Sequence, residues 1–131
     1  MAQKIASIAL VVKDYDEALN YFLEKLSFEL IEDTNMGNGK RWVVISPPGN
    51  VNGTNLILAK AKNDAELKAV GNQTGGRVFL FIHTDDFKRD YDFMKLQGVN
   101  FIEAPRNEAY GKVVVFKDLY GNKWDLVGRD S

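Results

Sequence analysis

The sequence predicts an α+β protein made of two βαβββ modules, and three observations carry that expectation. An apolar, β-branched run (Ile5 to Val12) leads into a capped amphipathic helix and then three short strand-like segments. The same order returns in the second half of the chain. Turn punctuation repeats at one spacing: an offset of 72 residues lays Gly39-Lys40 on Gly111-Lys112 and Gly49-Asn50 on Gly121-Asn122.

In the first module, Asp14 stands where a helix N-cap is wanted, with Glu17 three residues on completing a capping-box pattern. Tyr15, Leu19, Phe22 and Leu26 recur at helical spacing, so residues 15–26 are predicted to form an amphipathic helix. Strands are expected at Phe28–Glu32, Arg41–Ser46 and Asn55–Lys60, separated by Gly37-Asn38-Gly39 and Pro47-Pro48-Gly49-Asn50. The second module opens with a strand at Arg77–His83. Asp86 caps a helix whose stripe is Phe87, Tyr91 and Met94, and strands follow at Val99–Glu103, Lys112–Lys117 and Lys123–Val127. Module one thus spans about 4–61 and module two about 77–128, with a linker of about 62–76 holding a minor helix at Asn63–Ala69 and the loop Gly71–Gly76. That gives eight strands and two principal helices within one domain covering 1–131. The glycine-rich loop has neither GxGxxG nor a Walker spacing and precedes a strand, so a simple connection is expected there.

Composition narrows the function classes. The 131 residues are 45% hydrophobic and 27% charged, ordinary for a globular protein. Seventeen basic against 18 acidic residues give a formal net charge of −1, with no basic surplus to attract nucleic acid or an anionic membrane. The absence of cysteine removes disulfides, thiolate metal sites and a cysteine nucleophile. The apolar run at the N-terminus ends at Lys13 and Asp14, too short for a signal peptide or a membrane span, so a cytoplasmic location is expected. No serine-hydrolase elbow or HExxH occurs.

Three stretches resemble one family. VVKDYDEALNYFLEKLSFEL (11–30) is similar to the opening strand-helix-strand of the vicinal-oxygen-chelate superfamily, the glyoxalase, bleomycin-resistance and extradiol-dioxygenase group. RVFLFIHTDDF (77–87) resembles the start of its second module, and FKDLYGNKWDLV (116–127) its closing hairpin. The resemblance implies a glyoxalase-type fold in which the modules build a curved mixed sheet around a cup. In metal-dependent relatives, four positions face that cup, one on the first and one on the last strand of each module. Carried over, these positions fall on Ser7, Ile57, Phe79 and Asp125. Ile57 and Phe79 offer no donor atom and Ser7 is a poor ligand for a divalent ion, so the resemblance implies a lost metal site and no cofactor.

The candidate ligand pocket is Ser7, Trp42, Ile57, Phe79, Phe81, His83, Arg106, Tyr110 and Asp125. On a regular strand the lone histidine, His83, shares a face with Phe79 and Phe81 and suits a base or donor to a ligand; the alternative is a strand-end histidine bonded to backbone, Asp85 or Asp86. Phe79, Phe81 and Trp42 are expected as apolar walls, or as plain core. Arg106, Tyr110 and Lys112 lie in PRNEAYGK, a loop that borders the cup in the family, where Arg106 suits a carboxylate or phosphate. Asp125 is a candidate acid–base group, or else a polar residue bonded to Ser7 or Arg77. The expected function is small-organic-molecule binding without metal. The alternatives are a metal-dependent lyase, isomerase or ring-cleaving dioxygenase of the same superfamily, and a ligand-free interaction protein. A homodimer is expected, because open sheet edges and an apolar concavity need covering.

Overall fold

A computed structural model describes residues 1–128. The chain divides into two compact units, Met1–Val70 and the part from Gly71 onward. The minor helix expected in the linker belongs to the first unit, and the glycine-rich loop to the second.

The first unit runs β1 (Ser7–Val12), α1 (Tyr15–Lys25), β2 (Glu29–Gly37), β3 (Lys40–Ser46), β4 (Asn55–Lys60) and α2 (Asp64–Ala69). Its sheet has the order β1-β4-β3-β2, with β1 parallel to β4 and the other pairs antiparallel. The Asp14 carboxylate accepts the Glu17 amide at 2.8 Å, as the capping pattern predicts. Tyr15, Ala18, Leu19 and Phe22 are the buried stripe of α1. With Leu10, Val12, Val43, Ile45, Leu56 and Leu58 they make the core of this unit. β2 continues past the expected Glu32 end because Asn38 (φ 56°) and Gly39 (φ 79°) both take the left-handed conformation, as a tight hairpin turn requires.

The second unit contains β5 (Val78–Thr84), α3 (Phe87–Leu96), β6 (Asn100–Phe101), β7 (Arg106–Glu108), β8 (Gly111–Lys117) and β9 (Lys123–Gly128). Its order is β5-β9-β8-β6, with β7 also paired to β8 and β5 parallel to β9. Phe116, Trp124, Leu126 and Val114 pack under Phe87 and Met94 of α3. Only Asn100–Phe101 of the strand expected at Val99–Glu103 forms, and Arg106–Glu108 adds a strand beyond it, so the described residues hold nine strands rather than eight. The break between the two has a local cause. The Glu103 side chain, not a backbone carbonyl, accepts the Val115 amide at 3.1 Å, and Pro105 has no N–H to continue the ladder. Among the described residues no helix is long and apolar enough to cross a membrane.

Candidate functional site

Each sheet has one face covered by its helix and one face without a helix, and strand register decides which side chains share the latter. In the first unit Ala9 pairs with Ile57, Ile57 with Val44, and Val44 with Glu32, forming one row on the helix-free face. Trp42 lies on the same face, paired with Thr34. Ser7 pairs with Asn55, one row away from Ile57. Ser7 and Ile57 therefore share that face, and the residue directly beside Ile57 is Ala9.

In the second unit a β-bulge produces the larger correction. Val78 pairs with Lys123 and Leu80 with Trp124, so Phe79 is an extra residue between two successive pairs. Phe79 sets its ring edge-on against Trp124, 6.0 Å away, instead of sharing the face of Phe81 and His83. The residue beside Asp125 is Phe81, and the row reads Phe81–Asp125–Val115. The next row on that face is His83–Val127–Val113–Arg106. Phe81, His83, Arg106 and Asp125 thus fall in two neighbouring rows of one face, while Phe79 leaves that face. Lys112, in the same segment as Arg106, lies on the helix-covered side, where it pairs with Asn107 and Gly128.

Arg106 was expected to await an anionic ligand, but its own neighbours already occupy the guanidinium. Nε contacts the Glu103 carboxylate at 3.2 Å and Nη1 the Glu108 carboxylate at 2.7 Å. Those bonds, Glu108 first and then Glu103 and Tyr110, hold the guanidinium even further above its ordinary range, opposed by desolvation. Tyr110 is exposed beside it. The carboxylates expected next to His83 are also committed elsewhere. Asp85 pairs with Arg89 at 2.8 Å, and Asp86 caps α3 through the Arg89 amide at 3.1 Å. His83 itself is exposed near the end of β5.

Asp125 is the unusual group. It is 6% exposed, and its Oδ1 is buried with no hydrogen-bond partner among the described residues. Burial raises its pKa above the ordinary 3.8; Arg106 pulls it down and Glu103 pushes it up. The folded state therefore holds this proton more tightly than the unfolded chain does. Stability from the group is fully present below the unfolded value and is lost as pH rises through the raised folded value. Asp125→Asn is accordingly expected to stabilise the protein by about 1 kcal/mol at neutral pH. The difference should shrink as the pH falls to about 4. Urea unfolding of both proteins across that range checks it; a gap that does not change with pH would refute the assignment.

The Glyoxalase/Bleomycin resistance protein/Dioxygenase superfamily profile matches residues 4–126. The chain belongs to this superfamily. A protein of uncharacterised function from Shewanella frigidimarina is 56% identical over 128 residues, covering 97% of this chain and 94% of the relative. A member of the superfamily from Sphaerobacter thermophilus superposes with a TM-score of 0.79 at 25% identity, covering 98% of both chains. TnmS3, an antibiotic-binding protein from Streptomyces sp. CB03234, superposes with a TM-score of 0.77 at 24% identity, again covering 98% of both. These likenesses agree with the fold expected from the internal repeat.

Metal-dependent members of the glyoxalase superfamily need several nitrogen or oxygen donors, typically three from protein in a catalytic site. The two first-to-last-strand pairs, Ala9–Ile57 and Phe81–Asp125, supply one. Ala9, Ile57 and Phe81 have no donor atom in their side chains, and Asp125 is a single carboxylate. Among the described residues no group of three or more His, Cys, Asp or Glu is placed to hold an ion. The residues present do not fit the superfamily's metal.

Proposed function

We propose that this chain binds a small organic molecule against the helix-free face of its second sheet, without the superfamily metal. The observation that carries the reading is the buried, unpartnered Oδ1 of Asp125 beside a phenylalanine ring that is 62% exposed. A buried polar atom without a partner is costly, and a turn of the Asp125 side chain would bring it to a ligand N–H or O–H. Phe81 supplies apolar area to a flat molecule, and Arg106 with its two glutamates forms a fixed polar border. The first unit presents Ile57 and Trp42 on its own helix-free face, with the buried Val44 between them in the register. Antibiotic binding by TnmS3 supports the idea that this fold serves as a receptor for such molecules.

The test is a ligand-observed NMR screen of flat aromatic compounds, repeated on variants. Phe81→Ala is expected to weaken hits about tenfold, the scale of one exposed aromatic contact, with circular dichroism unchanged. Asp125→Ala should remove hits that carry a donor. Hits that survive both changes with unaltered affinity would refute the assignment to this face.

The strand β2 supports a further proposal, that the chain forms a homodimer. It is the outermost strand of its sheet, and all nine of its residues are exposed, Leu30, Ile31 and Met36 included. A long, partly apolar edge of this kind invites pairing with a second copy. Light scattering that returns the monomer mass at micromolar concentration would overturn it.

A further inference from the structure

The sequence contains two Asn-Gly pairs, Asn38-Gly39 and Asn52-Gly53, and both asparagines take the left-handed conformation, at φ 56° and φ 59°. In such a pair the glycine amide nitrogen can reach the asparagine carboxamide carbon and close a ring, because glycine carries no side chain to hinder the approach. The two pairs stand in different surroundings.

Asn38 and Gly39 form the exposed tip of the β2–β3 hairpin, with Gly37 at φ 86° on one side. A Cβ built on Gly37 or on Gly39 would meet nothing within 4 Å, so the tip can turn without collision. Asn35 Oδ1 accepts the Gly37 amide at 2.8 Å. Among the described residues the Gly39 amide and the Asn38 carboxamide have no hydrogen-bond partner. The tip borders an open cavity of about 410 Å³, shared with Asp33, Asn35 and Arg41, so water reaches it freely.

The loop around Asn52 is tied to itself. The Asn50 amide donates to the Pro47 carbonyl at 3.3 Å, and the Val51 amide to the Gly49 carbonyl at 3.0 Å. The Asn50 carboxamide nitrogen bonds both Ser46 Oγ and the Thr54 carbonyl, each at 3.0 Å. Gly53 packs so closely on that side chain that a Cβ built on it would stand 1.8 Å from Asn50 Oδ1. Turning the Gly53 nitrogen toward the Asn52 carboxamide disturbs these bonds; turning the Gly39 nitrogen toward Asn38 breaks none.

We propose that Asn38 is a site of spontaneous deamidation and the first to react in the folded chain. The Gly39 nitrogen adds to the Asn38 carboxamide carbon and gives up its proton, while the carboxamide nitrogen takes one and leaves as ammonia. Solvent water then opens the cyclic imide at either carbonyl, giving aspartate or isoaspartate. Either product adds one negative charge to a chain whose formal net charge is −1. Isoaspartate also carries the backbone through the former side chain, which lengthens the two-residue turn between the paired Gly37 and Lys40. The site shares no residue with the ligand face proposed above, so the two stand or fall separately.

The full chain, aged folded at mildly alkaline pH and then digested with trypsin, tests it, since residues 26–40 and 42–60 fall in different peptides. An acidic species is expected by isoelectric focusing, with the exchange of ammonia for water mapped to Asn38 by mass spectrometry. Asn38 should react about fivefold faster than Asn52, the scale of one loop hydrogen bond broken to reach the transition state. In concentrated urea the two rates should converge, which assigns the difference to the fold. Asn38→Gly, a residue that suits the same turn, should leave circular dichroism unchanged and abolish the first acidic species. Equal rates in the folded chain, a faster Asn52, or the same ratio folded and in urea would overturn the proposal.

Discussion

Replacing Asp118 with alanine is expected to destabilise the protein by about 3 kcal/mol or more, measured as urea unfolding followed by tryptophan fluorescence. Asp118 is 6% exposed and closes the turn that joins β8 to β9. Its Oδ1 accepts three successive backbone amides, those of Tyr120, Gly121 and Asn122, each at 3.0 Å. Its Oδ2 accepts the indole N–H of Trp124 and, at 3.3 Å, the Asn122 amide group. Hydrogen bonds to a charged acceptor contribute about 1.5–3 kcal/mol each, and they do not add here because they share one anchor. Alanine strands all of these donors at once, including the N–H of a tryptophan that is only 1% exposed. Asparagine retains one oxygen for the amides but turns its NH₂ toward the indole N–H, so Asp118→Asn should fall between aspartate and alanine. An alanine variant as stable as the parent would show that water replaces the carboxylate at this turn.

The same turn explains why so much of the fold was legible in the sequence. Gly49-Asn50 and Gly121-Asn122 stand out at one offset, and the structure supplies their shared cause. Each asparagine side chain donates to the residue four positions earlier: Asn50 to Ser46 Oγ at 3.0 Å, and Asn122 to Asp118 Oδ2 at 3.3 Å. The hairpin lock recurs, so its letters recur. Helix α1 was legible for a similar reason, since its cap and its apolar stripe are local in the chain.

The site was less legible because its composition depends on pairing across strands. Nothing in Arg77-Val78-Phe79-Leu80-Phe81 marks a bulge: no glycine or proline interrupts the run, and either phenylalanine suits either face. One extra residue is enough to send Phe79 to Trp124 and leave Phe81 beside Asp125. Arg106 was read as open to an anionic ligand, but Glu103 and Glu108, three residues before it and two after, already hold its guanidinium. Lys117 and Lys123 are likewise unremarkable in sequence and become a pair only through the β8–β9 register.

Gly128 went unread as well, and Gly128→Ala is expected to destabilise by about 2 kcal/mol, the usual cost of forcing a methyl group into a filled site. Gly128 ends the described part of β9, paired with Thr84 on one side and Lys112 on the other. It lies on the helix-covered face. A Cβ there would stand 2.5 Å from the Cβ of Phe87 and 3.2 Å from its Cα. Those atoms cannot move aside by a change of rotamer, because they belong to the first residue of α3 itself. The start of that helix is held from three directions. Asp86 caps it through the Arg89 amide, Phe87 is 6% exposed against the sheet, and its ring stacks on Tyr91 with centroids 5.8 Å apart. To admit the methyl group, the helix must lift away from β9 and take part of that packing with it. A mutant cycle separates this collision from general loss of core contacts. Phe87→Ala keeps the offending Cβ, so its cost and that of Gly128→Ala should add. Phe87→Gly removes that Cβ, so its combination with Gly128→Ala should cost less than the sum of the two. Additive costs in both cycles would show that the glycine is set by something other than the close approach of α3.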